Sequence, residues 1–246
     1  MKQDSIRIAM WSGPRNISTA MTRAFENRRD TTVIDEPFYS FFLKNTGIKH
    51  PMHKEVIKKY DSSWDNIANT LIGPIPNNKD IWYQKLMAHH WVDNQPLDWT
   101  TNTINCFLIR NPKQVILSYL KIHEDVTLEL IGLPQQIHIF NHIAEQTNKI
   151  PIVISSEDIL KNPKLMLQKL CNLLDIPFSD QMLSWSTGKR DSDGIWGEYW
   201  YKNVVKTSSF SKSSEKDEEF PEQFSSLLDE CNTYYKQIKK YKVTND

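Results

Sequence analysis

The chain has 246 residues, 39% of them hydrophobic, enough for one large domain with a substantial buried core. Its 30 basic and 30 acidic side chains cancel, so nothing draws the whole molecule toward nucleic acid or an anionic membrane, and any anion site has to be local. Three widely spaced cysteines (Cys106, Cys171, Cys231) argue for reduced thiols in a cytoplasmic protein over a disulfide framework, and no apolar run approaches membrane-spanning length.

Residues 1–5 lead straight into Ile6-Arg7-Ile8-Ala9-Met10-Trp11, a short and largely apolar strand, so no signal peptide is expected. The loop Ser12-Gly13-Pro14-Arg15-Asn16-Ile17-Ser18-Thr19 comes next, and then a helix in which Met21 and Phe25 stand four apart to face the core. A strand running through a tight turn into a helix offers unpaired backbone N–H groups and the positive end of the helix dipole to an anion. Arg15 adds a permanent charge with a planar donor fork, and Ser18 and Thr19 add hydroxyls in the first turn. The pattern suits a phosphate-like or sulfate-like group; the plainer alternative is a connection whose Ser and Thr only cap the helix. The magnesium-dependent pattern G-x-x-x-x-G-K-[ST] fits poorly. Counting from Gly13, Ser18, Thr19 and Ala20 stand at its second glycine, its lysine and its metal-ligating hydroxyl.

Further strands are predicted at 31–34, 81–84, 104–109 and 152–154. Helices are predicted at 64–71, 113–120, 134–148 and 163–174, the last with Leu165, Leu167, Leu170, Leu173 and Leu174 as its buried stripe. Short apolar strands alternating with helices predict an α/β protein, a P-loop-type central parallel sheet flanked by helices on both faces. Ligands collect at the carboxyl ends of such strands, where the opening loop would lie. Past residue 175, Trp185, Trp196, Tyr199, Trp200 and Tyr201 crowd together with Gly188, Gly194 and Gly197. Residues 206–219 are rich in serine and charge and read as an exposed loop. A last helix at 221–240 carries Phe224, Leu227, Leu228, Cys231 and Tyr235 on one face. With no internal repeat and no second core, residues 1–246 are expected to form a single domain.

Several side chains fall at the predicted strand ends. Arg110 ends the fourth strand, Pro112 takes the first helical position, and Ser118 follows eight residues after Arg110. An arginine at a strand end and a hydroxyl on the next helix can grip a phosphate, although each alone is also compatible with an ordinary surface residue. Glu36, in Ile34-Asp35-Glu36-Pro37, follows the second strand and opens onto the same sheet edge, while Lys85, His89 and His90 follow the third. Histidine's ordinary pKa near 6.5 suits proton abstraction from a hydroxyl around neutral pH. His138 and His142 stand four apart on a helix without a third ligand nearby, so no metal is expected. The basic run 236–242 ends a helix, where cations suit the dipole, and reads as a solvated face with no nucleic-acid role.

Pro14-Arg15-Asn16-Ile17-Ser18-Thr19 followed by Arg110-Asn111-Pro112-x-x-Val115-x-x-Ser118-Tyr119 resembles the two signature segments of sulfotransferases that use 3′-phosphoadenosine 5′-phosphosulfate. The resemblance implies that the loop from Gly13 to Thr19 holds the 5′-phosphosulfate of this co-substrate. Arg15 would contact the bridging oxygen, Ser18 and Thr19 the phosphate oxygens, and Arg110 and Ser118 the 3′-phosphate. Asn16-Ile17 stands where the family usually has Ser-Gly, so the turn has to be made without glycine's freedom at φ. Gly188-Lys189-Arg190-x-x-x-Gly194-x-Trp196 is similar to the family's later R-K-G…G-D-W loop, which would bring Arg190 over the nucleotide. The likeness extends to a set of sulfotransferase-like proteins with G-P-R-N-x-S-T, D-E-P and paired histidines.

For the general base the resemblance leaves two options. Tyrosine-protein and heparan-type sulfotransferases place a glutamate about as far past the basic loop residue as Glu36. The K-x-H of small-molecule sulfotransferases points instead to Lys85 with His89 or His90, at a spacing two to three residues longer. The implied reaction is in-line transfer of a sulfuryl group to the hydroxyl, or less readily the amine, of a small-molecule acceptor, with no metal. A P-loop kinase and a non-catalytic nucleotide-binding scaffold are the rival readings.

Overall fold

In the computed structural model, which describes residues 5–92, 94–123, 125–210 and 218–244, the first apolar run forms β1 (Ile6–Ser12). Strand side chains alternate between faces, and here both faces are covered. Ile8 and Met10 pack in one apolar cluster, Ala9 and Trp11 in another, and all four are buried. Four more strands, β2 (Thr31–Asp35), β3 (Ile81–Met87), β4 (Ile104–Ile109) and β5 (Ile152–Ser155), complete a sheet in the order β2-β3-β1-β4-β5 with every pairing parallel. This is the α/β architecture expected from the alternation of short apolar strands and helices.

The helices are α1 (Ser18–Glu26), α2 (Tyr39–Thr46), α3 (His53–Lys59), α4 (Trp64–Ile72), α5 (Pro112–Leu120) and α6 (Leu128–Ile131) in the first half. α7 (Leu133–Thr147), α8 (Ser156–Lys161), α9 (Pro163–Leu173), α10 (Gly197–Trp200) and α11 (Ser225–Lys239) follow. Met21, Ala24 and Phe25 of α1 and Met166, Leu167, Leu170 and Cys171 of α9 cover the face that carries Ile8 and Met10. Residues of α4, α7 and α11 cover the other face around Trp11, Trp82 and Phe107. Burying side chains of this size stabilises by about 1.5–3 kcal/mol each, so two covered faces outweigh any single polar contact. Among the described residues no helix is long and apolar enough to cross a membrane. All three cysteines are buried and free.

Some expectations change. The stripe of α9 is Met166, Leu167, Leu170, Cys171 and Leu174, with Leu165 half-buried and Leu173 50% exposed. Leu173 has same-face spacing from Leu170 but lies at the margin of the stripe, in the last turn of the helix, and is left to solvent. Strand β3 runs three residues further than its apolar pattern indicates, so Lys85 lies inside the strand and only His89 and His90 follow it. The last helix begins at Ser225 after a short 3-10 turn over Glu222–Phe224. Residues 211–217 of the expected 206–219 loop lie outside the described residues.

Candidate functional site

Parallel strands send all their carboxyl ends to one side, and the segments following β1, β2, β3 and β4 meet there around a cavity of about 320 Å³. Of the residues singled out in the sequence, Pro14, Arg15, Asn16, Ser18, Thr19, Glu36, Lys85, His89, His90, Arg110 and Ser118 all line it. Gly13 and Arg190 do not. Gly13 serves packing: a Cβ there would come within 2.7 Å of the Ile131 carbonyl oxygen. Arg190 turns away, its Nη2 donating to the Ser186 carbonyl at 2.9 Å and its Nε 3.8 Å from Glu26.

The loop after β1 takes its left-handed step at Arg15, φ +57°, rather than at Asn16 or Ile17. Asn16 is a tether: its Nδ2 donates to the Leu108 carbonyl at 3.0 Å and its Oδ1 accepts from Ser156 Oγ. That fixes the loop to the end of β4 and the start of α8, and it supplies the hold that a glycine turn would lack. Glu36 is the cavity's other left-handed non-glycine residue, at φ +43°. A positive φ in an L-residue is a local cost that surrounding contacts must offset. Helix α1 starts without a side-chain cap hydrogen bond and without an acid in its first turn, so its positive end is left to the cavity.

At this end of the cavity stand two cations. Arg15 Nε donates to Ser118 Oγ at 3.0 Å, and Arg110 Nη1 donates to the Arg15 carbonyl at 2.6 Å. Burial lowers both pKa values, Arg110 lowers that of Arg15 further, and Glu157 works the other way at Arg110. Guanidinium stays charged regardless. Among the described residues neither arginine forms an ion pair, and Glu157 is engaged by the Asn111 amide at 2.8 Å and Ser155 Oγ at 2.7 Å.

The opposite end is built on strand register. Asp35 pairs with Lys85 across β2 and β3, and Lys85, only 1% exposed, reaches Asp35 Oδ1 at 2.9 Å, Glu36 Oε1 at 2.7 Å and Thr19 Oγ1 at 3.1 Å. Burial opposes the Lys85 charge, but Asp35 and Glu36 outweigh it and raise the pKa. Burial lifts the Glu36 carboxyl above the usual carboxylate range; Lys85 pulls it back, and the neighbouring Asp35 adds to the rise.

His90 Nε2 lies 3.9 Å from Glu36 Oε2. Burial holds His89 down to about 3 and His90 well below the usual histidine range, so both rings are neutral at neutral pH. Gly132, φ +76°, lets the α6–α7 junction lie directly on His89, since a Cβ there would be 2.9 Å from the His89 Cβ. Along one wall, Tyr39 stacks on His90 and its hydroxyl lies 2.8 Å from His50 Nδ1, while Trp200 contacts both His50 and His123.

A family model described as a sulfotransferase domain matches residues 6–241. The chain belongs to the sulfotransferase domain family. This sulfotransferase domain is 32% identical over 234 residues to branched-chain-amino-acid aminotransferase-like protein 1 of Arabidopsis thaliana, covering 95% of the chain and 42% of the relative. The chain thus spans less than half the length of that curated relative. In fold it is similar to the sulfotransferase domain of the olefin synthase of Synechococcus PCC 7002, with TM-score 0.62, 12% identity and coverage of 97% and 96% of the two chains. The sulfotransferase of Alicyclobacillus acidocaldarius aligns with TM-score 0.54 and 10% identity over 95% and 96%.

The sulfotransferase domain also places residues at the cavity that sequence reasoning passed over. Tyr39, His50 and His123 carry no local motif that marks them. Asp35 is legible beside Glu36, but its pairing with Lys85 depends on strand register. Tyr201, 166 residues from Asp35 in sequence, arrives only through the folding of the aromatic segment around Trp196. His138, in contrast, is exposed and stacks on Trp91 at 4.4 Å.

Proposed function

We propose that this chain transfers a sulfuryl group from 3′-phosphoadenosine 5′-phosphosulfate to an acceptor hydroxyl of a small molecule, its residues working as one domain. The observation that carries the reading is the pair Arg15 and Arg110, gathered at an uncapped helix N-terminus with neither forming an ion pair among the described residues. Such a cluster of donors suits an anion with more than one phosphate-like group. Free, buried cysteines suit a reducing cytoplasmic setting, and a cavity of about 320 Å³ suits a small acceptor.

In this reading the acceptor oxygen attacks sulfur as the bond from sulfur to the 5′-phosphate oxygen breaks, in line. Arg15 and the α1 N-terminus offset the charge that develops on the departing phosphate. Arg110 and Ser118 hold the 3′-phosphate. Glu36 takes the acceptor proton: its Oε2 has no closer described partner than His90 at 3.9 Å, and its raised pKa makes it a stronger base than an ordinary carboxylate. Lys85 keeps Thr19 and Glu36 in place and contributes its charge. His89 and His90, neutral and buried, form part of the wall behind Glu36.

Calorimetric titration with 3′-phosphoadenosine 5′-phosphate, with ATP as control, tests the reading. Tight binding of the bisphosphate alone is the expected result. Preference for ATP would favour a kinase, and binding of neither would favour a scaffold.

A further inference from the structure

Four side chains meet beneath the cavity, three from one sheet edge and one from far along the chain. Tyr201, just past α10, brings its hydroxyl to 2.8 and 2.7 Å from the two Asp35 oxygens, 3.2 Å from Glu36 Oε1 and 2.6 Å from Lys85 Nζ. Its oxygen also accepts from Trp196 Nε1 at 3.2 Å, and Asp35 Oδ2 accepts from the Gly194 amide at 3.1 Å. Lys85 has three protons for four acceptors: Asp35, Glu36, Thr19 and the Tyr201 oxygen. Tyr201 contributes one more proton to the cluster, and burial with Asp35 and Glu36 nearby holds its phenol firmly protonated.

The charges do not cancel. Two carboxylates share one ammonium, so Asp35 disfavours an ionised Glu36 while every available donor favours it. The groups facing Glu36 are Asp35 from β2, Lys85 from β3, His90 from the turn after β3, Tyr39 from α2 and Tyr201 from the segment after α10. His90 and Tyr39 are neutral at neutral pH, which leaves Lys85, Asp35 and the Tyr201 hydroxyl to set the balance.

We propose that Tyr201 and Asp35 are positioning residues that tune the proton affinity of Glu36 in opposite directions, the Tyr201 hydroxyl easing its ionisation and the Asp35 charge resisting it. The Tyr201 proton satisfies Asp35, so that Lys85 stays shared with Glu36. The proposal rests on the reading of Glu36 as the base. It also makes the aromatic segment that carries Trp196 and Tyr201 part of the acid–base apparatus.

The test combines pH profiles of kcat/KM with 13C-NMR titration of the glutamate carboxyl carbons in the full chain, the Glu36 resonance being assigned by its loss in Glu36→Gln. Tyr201→Phe should move the acid limb and the Glu36 titration up by about half to one pH unit, because Asp35, left without the phenol proton, draws Lys85 away from Glu36. Asp35→Asn should move both down by about one unit or more, since a neighbouring negative charge is gone. A merely structural role for either residue would lower kcat without moving the limb. Unshifted Glu36 titrations, or shifts of the same sign in both variants, would overturn the proposal. If the resonance moves in opposite directions while the kinetic limb stays put, the tuning holds and the reading of Glu36 as base fails.

Discussion

At one end of the cavity Arg15 and Arg110 stand side by side with no ion pair among the described residues; at the other, Lys85 sits between Asp35 and Glu36 and is almost wholly enclosed. The first end is electrostatically incomplete on its own and gains most when an anion arrives. The second has drawn its partners from within the chain, because an isolated buried charge costs several kcal/mol. Substitutions at the arginine end should therefore be felt in ligand binding and turnover with little effect on folding, and substitutions at the lysine end in folding as well as in turnover.

The sharpest way to break this contrast is Lys85→Met, which strands two carboxylates in a closed site. A loss of about 3–5 kcal/mol in urea unfolding is expected. A variant as stable as the parent would mean that the lysine end is no more dependent on internal pairing than the arginine end. Arg15→Ala should lower kcat by about 10²–10³, the usual effect of removing one donor to developing charge, with the melting midpoint held within about 2 °C. A collapse in melting temperature would show that Arg15 holds the loop together.

A finer probe is Arg110→Ala. Losing one charge-assisted contact is worth about 1.5–3 kcal/mol, so affinity for 3′-phosphoadenosine 5′-phosphate should fall roughly tenfold or more. Affinity for adenosine 5′-phosphosulfate, which lacks the 3′-phosphate, should barely change; equal losses would place Arg110 elsewhere.

A further expected effect is on pH dependence. His50 and His89 titrate at about 4 and about 3 in the folded chain against an ordinary 6.5, both lowered chiefly by burial. Below about pH 6.5 the unfolded chain binds protons that the folded chain does not, so stability falls as the pH drops through that window. Urea midpoints measured from pH 7 to 5 should decline, and His89→Asn should flatten the slope. A ring that titrates at about 3 gives no kinetic limb between pH 5 and 8, so the limb should remain in His89→Asn. Its disappearance there would make the histidine the base.

What could be read from the sequence was largely what is local. The apolar run of β4, the loop before α1, and the arginine and serine bracketing the start of α5 all carry their meaning within a few residues. Lys85 marks where this stops: a lysine reads as the end of an apolar strand, yet here it continues β3 because Asp35 and Glu36 receive it. Arg190 fails for the complementary reason. Its motif is local, but Glu26 on α1 and the Ser186 carbonyl hold it away from the cavity. The left-handed turn fell on Arg15 rather than on Asn16 or Ile17, since the tethers to Leu108 and Ser156 are long-range contacts.

Gly13 closes against the Ile131 carbonyl, and the next residue along the chain from Ile131, Gly132, closes against His89. Between the β1–α1 loop and the histidine pair there is therefore backbone and almost no side chain. A gap spanned by side chains widens and narrows as rotamers hop; a gap spanned by peptide planes does not. The separation of these two walls behaves as a fixed gauge, and even a single methyl group at either glycine would reset it.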